Sequence, residues 1–213
     1  MLLCLEASTD TTVIGLYESA ERFIERTLAD RDRLAEEVRE LLGEWPIEPR
    51  ALTGIALGSG PGSFTGLRVS YAFAKGLARG AELKIFPISS LKVIAANYLG
   101  DRKSVAVISP ARRNAVHWSA FATNSLEIVS DHAVVPHEDL RGKLAGEMVL
   151  IGPGLAKLND EVRAQIESFL PSKPTTSHPQ VKHLARLALE YWRDKQPPDI
   201  GVIVPEYGLD FPA

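Results

Sequence analysis

Apolar runs at residues 2–5 and 12–17, separated by the polar turn Ala7-Ser8-Thr9-Asp10-Thr11, predict two strands, and the alternating stretch 22–27 predicts a third. Asp30 is placed to cap a helix over 31–45, where Leu34, Val38, Leu41 and Leu42 form one apolar stripe and most other positions are charged. A short buried strand at 54–58 precedes a stretch free of proline from 64 to 79, which predicts a long helix. A strand at 84–87 and a helix capped by Ser89 or Ser90 and ending near 99 complete this half, before the polar break Gly100-Asp101-Arg102-Lys103. The pattern then restarts with strands at 105–109, 115–122 and 126–135, the first turn carrying Arg112-Arg113-Asn114. A strand at 148–151 runs into Gly152-Pro153-Gly154 and a helix over 158–169. A proline, serine and threonine linker at 171–179, a helix over 181–195 and a last strand at 201–204 lead to Pro205-Glu206-Tyr207 and a short tail.

Strands that cluster in threes before each helical stretch do not suit a Rossmann sheet or a barrel, in which strands and helices alternate. Two similar α/β halves are expected, at 1–100 and 101–213, with the last residues returning to the first lobe. This order resembles tandem ribonuclease H-like lobes with mixed sheets, as in the actin, Hsp70 and sugar-kinase group. With 24 basic and 27 acidic residues among 213, the chain does not suit a protein that grips nucleic acid unaided, so any RNA role implies a basic partner. The single cysteine, Cys4, lies in an apolar run and predicts a buried core residue rather than a disulfide or thiolate site, which fits a reducing cytoplasm. No leader opens the chain and no apolar run is long enough to span a bilayer.

The densest motif is Gly60-Pro61-Gly62-Ser63-Phe64-Thr65-Gly66-Leu67-Arg68, set between a strand and a long helix. A glycine-rich helix start can cradle an anion through free N–H groups and the helix dipole. The G-x-G-x-x-G, P-loop and G-x-S-x-G spacings are all absent. The preferred reading on composition is structural: Ser63 or Thr65 caps the helix and the glycines supply unusual backbone angles.

These nine residues resemble the signature of the bacterial TsaB (YeaZ) family, the non-catalytic subunit of the machinery that installs threonylcarbamoyl on an adenosine of tRNA. The residues from Leu3 to Thr9, Pro87-Ile88-Ser89-Ser90-Leu91, Ala111-Arg112-Arg113 and Pro205-Glu206-Tyr207 resemble other family segments along the chain. Departures are Glu6 for the usual aspartate, Asp30-Arg31-Asp32 for His-Ser-Glu, and Pro110, Ala115 and His117 for Asp, Glu and Tyr. The resemblance implies TsaD as the partner, TsaE as a further ATPase reached through the complex, tRNA met only indirectly, no cofactor, no membrane and a cytoplasmic location.

An active enzyme of the same fold group, either an ATP phosphotransferase or a glycoprotease-like peptidase, is the alternative. The fold group holds ATP with a first-strand carboxylate, an Asp-x-Gly loop opening the second lobe and a glycine-rich adenosine loop. Glu6 could supply the first, or pack between lobes against an arginine. The loop Ser109-Pro110-Ala111-Arg112-Arg113 has neither acid nor glycine, and Gly152-Pro153-Gly154 more often makes a plain turn. The family's catalytic relative carries two metal-binding histidines where Ser90 and Ile94 stand, so no metal site is expected there. The histidines at 117, 132, 137, 178 and 183 offer His132 and His137 as a pair at most, and read as scattered surface residues.

On a helical wheel the long helix divides into two apolar faces beside the stripe of Arg68, Lys75 and Arg79. Val69, Phe73, Gly76 and Leu77 are expected to pack on the lobe's own sheet. Leu67, Tyr71, Ala74 and Ala78 are spaced as a helix-to-helix seam, expected together with Leu34 and Val38 of the preceding helix to bind the partner or a second copy. The competing expectation is that Leu34, Val38 and Leu41 cover the seam within the monomer.

Overall fold

The computed structural model describes residues 1–28 and 30–208. The terminal tail 209–213 lies outside the described residues. Strand β1 (Leu2–Glu6) is the hub of a five-stranded sheet in the order β3-β2-β1-β4-β5. It pairs antiparallel with β2 (Thr12–Tyr17), Leu3 opposite Leu16, and parallel with β4 (Gly54–Gly58), Cys4 opposite Ala56. At the edges β3 (Phe23–Leu28) pairs antiparallel with β2, and β5 (Ile85–Ile88) parallel with β4. Parallel neighbours need crossovers, which α1 (Leu34–Glu44) and α2 (Phe64–Ala81) supply.

The continuous apolar run of β1 follows from burial on both faces. Leu3 and Leu5 face a core closed by Leu34, Val38 and Leu41 of α1 and by Tyr71, Ala74 and Ala78 of α2. Leu2 and Cys4, one step out of phase, face a second core. A second sheet, β8-β7-β6-β9, repeats the order with β6 (Ser104–Pro110), β7 (Ala115–Ala122), β8 (Ile128–Pro136) and β9 (Met148–Ile151). Val105 and Val107 of β6 share the core of Leu2 and Cys4, with α3 (Ser90–Ala95) and α6 (Val181–Asp194) between the sheets. The short helices α4 (Leu140–Lys143) and α5 (Asp160–Ile166) lie among the later elements, and Leu140, Val162 and Ile166 cover the second sheet's other face. The architecture is therefore two tandem ribonuclease H-like lobes with mixed sheets. No helix among the described residues is long and apolar enough to cross a membrane.

Several expectations are corrected. The helix read over 158–169 is α5 flanked by 3-10 turns, Asn159 accepting from the Val162 N–H at 2.9 Å. The strand read at 201–204 is a turn over 200–202 followed by irregular chain with no sheet partner. A boundary at residue 100 assigns α6 to the second lobe, yet its buried face packs on the first sheet. Val181 N–H donates to Glu25 at 2.6 Å, and Trp192 stacks on Phe86 at 4.5 Å.

On α2 the face expected to meet a partner lies in the core, while Val69, Phe73 and Leu77 of the expected sheet face pack half-buried against that core and Gly76 is exposed. Leu67, Tyr71, Ala74 and Ala78 are buried within this chain, as are Leu34 and Val38 of α1, so these six residues are core rather than a partner-binding seam. The reason is geometric: Ala74 and Ala78 let the helix settle closely onto the sheet, and Leu67 and Tyr71 fill the space at its other end. With Ala74 0% exposed, Ala74→Arg must bury an unpaired cation or force the layers apart. The expected loss is about 3 kcal/mol or more, lowering the melting temperature by roughly 6 °C or more. A melting temperature within about 2 °C of wild type would contradict this packing.

Candidate functional site

The motif loop is held at a polar junction where β1, α2 and α3 converge. Glu6, the last residue of β1, is buried. Its Oε1 accepts from the Ser8 N–H at 2.7 Å and its Oε2 from the Ser90 hydroxyl at 2.7 Å. That hydroxyl accepts in turn from the Gly60 N–H at 3.1 Å, and the Ser90 N–H donates to the Gly60 carbonyl at 2.8 Å. Burial raises the Glu6 pKa above the ordinary carboxylate range, opposed by the hydrogen bonds from Ser90 and Ser8. The arginine expected as its partner is replaced by a hydroxyl and a backbone N–H.

Beyond Gly60 the peptide to Pro61 is cis, and the Ser63 N–H donates to the Ser8 carbonyl at 2.7 Å. Of the two expected caps, Ser63 is used: its hydroxyl accepts from the Gly66 N–H at 3.2 Å. Gly60 has φ +101°, and a Cβ there would lie 2.3 Å from the Glu206 carbonyl oxygen; at Gly66 it would lie 2.0 Å from that of Ala7. The glycines therefore permit close backbone approach. The Gly60, Ser63 and Gly66 N–H groups, which an anion cradle would offer, are already engaged within the chain.

Between the lobes lies a cleft of ≈730 Å³ bordered by Pro61, Arg112, His132 and Glu206. The turn on its second-lobe side is closed on itself, the Ala111 N–H donating to the Ala115 carbonyl at 3.2 Å and the Ala115 N–H to that of Arg112 at 3.1 Å. Gly152-Pro153-Gly154 packs tightly on Ile108 of β6. Ser90 and Ile94 are buried, and among the described residues no three His, Cys, Asp or Glu side chains converge. The expectation of scattered surface histidines fails at His117, which is buried and lies 3.1 Å from His132 (Nδ1 to Nε2). Burial, followed by the neighbouring imidazole, lowers the His117 pKa to about 4. Burial lowers that of His132, so the pair stays neutral near pH 7 with one ring donating to the other.

With its inner face in the core, α2 turns the opposite face outward. Arg68, Ala72, Gly76, Arg79 and Gly80 are exposed, and Val69 and Phe73 are half-buried at its flank. A Cβ at Gly76 or Gly80 would meet nothing within 4 Å, so the backbone lies open there. The helix carries three basic residues and no acidic one. The adjacent α1 is acidic on its exposed side, Arg26 of β3 pairing with Glu37 at 3.5 Å and also with Glu44. The wheel contained the signal that distinguishes the faces: Ala72 and Gly76 share the stripe of Arg68, Lys75 and Arg79, whose charges mark the solvent side.

Residues 28–151 match the family model described as "TsaD: tRNA N6-adenosine threonylcarbamoyltransferase". The Haemophilus influenzae protein named tRNA threonylcarbamoyladenosine biosynthesis protein TsaB is 30% identical over 171 residues, 73% of this chain and 72% of that one. The Escherichia coli protein of the same name is 27% identical, covering 72% of this chain and 71% of its own. The solved structure of YeaZ from Pseudomonas aeruginosa superposes with a TM-score of 0.77 over 97% of this chain and 98% of its own, at 24% identity.

Because burial raises the Glu6 pKa in the folded state, the folded chain holds that proton more tightly than the unfolded chain. The Glu6 contribution to stability is therefore fully present below the unfolded-state pKa and is lost as pH rises through the folded-state value, by up to about 1.4 kcal/mol per pH unit. Glu6→Gln keeps the shape and an acceptor for the Ser8 N–H but cannot ionise. Urea unfolding at pH 5 and pH 8 is expected to show the variant gaining on wild type as pH rises; parallel profiles would contradict the buried carboxyl.

Proposed function

The chain belongs to the TsaB (YeaZ) family of tRNA threonylcarbamoyladenosine biosynthesis proteins, and from that premise we propose that it is an accessory subunit that docks TsaD through the outer face of α2. In that role it supports threonylcarbamoyl transfer to a tRNA adenosine without catalysing it. The observation that carries this reading is the exposed row Ala72, Gly76 and Gly80 on an 18-residue helix whose other face is fixed in the core. Small residues on a rigid helix let a partner helix approach closely over a long line of contact.

A partner of related fold suits such a face, since two homologous chains pack helix to helix about a pseudo-twofold axis. The match of residues 28–151 to the TsaD family model supports that relation. Without the partner, a second copy occupies the same face. The non-catalytic role draws support from the engaged N–H groups of the motif loop and from the buried Ser90 and Ile94. TsaE joins through the complex, and the net charge of −3 leaves tRNA to the partners, in the cytoplasm.

Gly76→Arg tests this directly. Replacing an exposed helical glycine raises intrinsic helix stability by up to about 1 kcal/mol, so the monomer's melting temperature should hold or rise. The bulky side chain should weaken TsaD binding by about 30-fold or more, and stimulation of threonylcarbamoyl transfer should fall with it at fixed concentration. The chain alone should transfer nothing. Wild-type binding by Gly76→Arg, or transfer by the chain alone, would overturn the reading.

A further inference from the structure

One pair of side chains at the interlobe cleft is used neither by the junction around Glu6 nor by the outer face of α2. Val134 of β8 stands opposite His117 of β7, so His132, two residues before it on the same face, meets the His117 ring diagonally across the two strands. His117 Nδ1 and His132 Nε2 lie 3.1 Å apart. His117 is 1% exposed and held within the packed sheet, whereas His132 is exposed and borders the ≈730 Å³ cleft.

The surroundings of the pair supply what a metal ligand needs. Two nitrogens bound to one zinc-class ion at about 2.0–2.1 Å with a tetrahedral angle stand about 3.3 Å apart, close to the separation found. Burial lowers the pKa of both rings, so near pH 7 neither holds the second proton that would exclude a metal. A ligating imidazole also needs an acceptor for its other N–H. Ser109 of β6, directly opposite His117 in the ladder, is buried, and its hydroxyl has no hydrogen-bond partner among the described residues, which leaves an acceptor free beside the ring. On the cleft side, a Cβ at Gly208 would lie 2.9 Å from His132 Nε2, so glycine keeps open the space beside that nitrogen. The charged residues bordering the cleft, Arg112 and Glu206, are of opposite sign.

Independently of the docking reading above, we infer that His117 and His132 bind one transition-metal dication of the zinc class at the mouth of the interlobe cleft. The hydrogen bond between the rings is exchanged for two metal–nitrogen bonds. The proton it held moves to the outer nitrogen of its own ring through a change of tautomer, two waters leave the ion, and both imidazoles stay neutral. The remaining ligand positions open onto the cleft and are filled by water, as in zinc sites with fewer than four protein ligands. Mg²⁺, a hard ion that takes oxygen ligands, is not bound by two imidazoles.

The test is equilibrium dialysis of the full chain against Zn²⁺ and against Mg²⁺, with ¹⁵N spectra of the histidine rings. Wild type is expected to bind one Zn²⁺ with a Kd of about 10 µM, since two ligands supply roughly half the free energy of a four-ligand site, and to leave Mg²⁺ free. His132→Gln keeps a hydrogen-bonding group against His117 but brings no imidazole, and should raise the Kd by about 30-fold or more, while His178→Ala binds as wild type. In the spectra of wild type, Zn²⁺ should shift His117 Nδ1 and His132 Nε2 and leave the rings of His137, His178 and His183 in place, a readout that does not depend on how the variants fold. No binding of Zn²⁺ at about 1 mM, or wild-type affinity in His132→Gln, would leave a hydrogen-bonded pair only and overturn the inference. A zinc shift confined to the other histidines, or equal binding of Mg²⁺, would overturn it as well. Docking through α2 is decided separately, by Gly76→Arg.

Discussion

A buried carboxyl at the end of β1 is the constraint on which the rest of the arrangement depends. Glu6 accepts from the Ser8 N–H and the Ser90 hydroxyl, and Ser90 exchanges two hydrogen bonds with Gly60. Three elements distant in sequence are fixed together: the end of the central strand, the loop that launches α2, and the first turn of α3. Removing one member leaves another polar group buried and unpaired, which costs more than the lost bond itself. The Gly60, Ser63 and Gly66 N–H groups of the loop are taken up within the chain, by the Ser90 hydroxyl, the Ser8 carbonyl and the Ser63 hydroxyl.

Fixing the start of α2 decides which way its faces point. The inner face of Leu67, Tyr71, Ala74 and Ala78 closes on the sheet, leaving a basic outer face of small residues. One helix therefore serves folding through one side and, in the proposed function, association through the other. The final described residues reinforce this orientation, with Ile203 under the helix edge and Glu206 tied to Ser59.

Much of the fold was legible because its signals are local. The run Leu2-Leu3-Cys4-Leu5 could only be a strand covered on both faces, and the restart after Gly100-Asp101-Arg102-Lys103 marked a repeated sheet order. What escaped depends on tertiary choices. Alanine is compatible with both a tight core and a tight interface, so spacing alone could not assign Ala74 and Ala78; the charges at Arg68, Lys75 and Arg79 could have. The pairing of His117 with His132 joins different strands in a register that neither strand's sequence specifies. The placement of α6 on the first sheet follows a long linker whose composition says nothing about direction.

The central claim is that α2 meets its partner with the face carrying Gly76 while the face carrying Ala74 stays in the core. Photo-crosslinking in the assembled complex tests it from the rim of the proposed face, leaving the row of small residues intact. A benzoylphenylalanine in place of Arg79, exposed on the side of α2 that carries Gly76, should capture TsaD efficiently, whereas one at Arg141, in the second lobe, should not. Capture from position 141, or none from position 79 in a complex that has formed, would contradict the account.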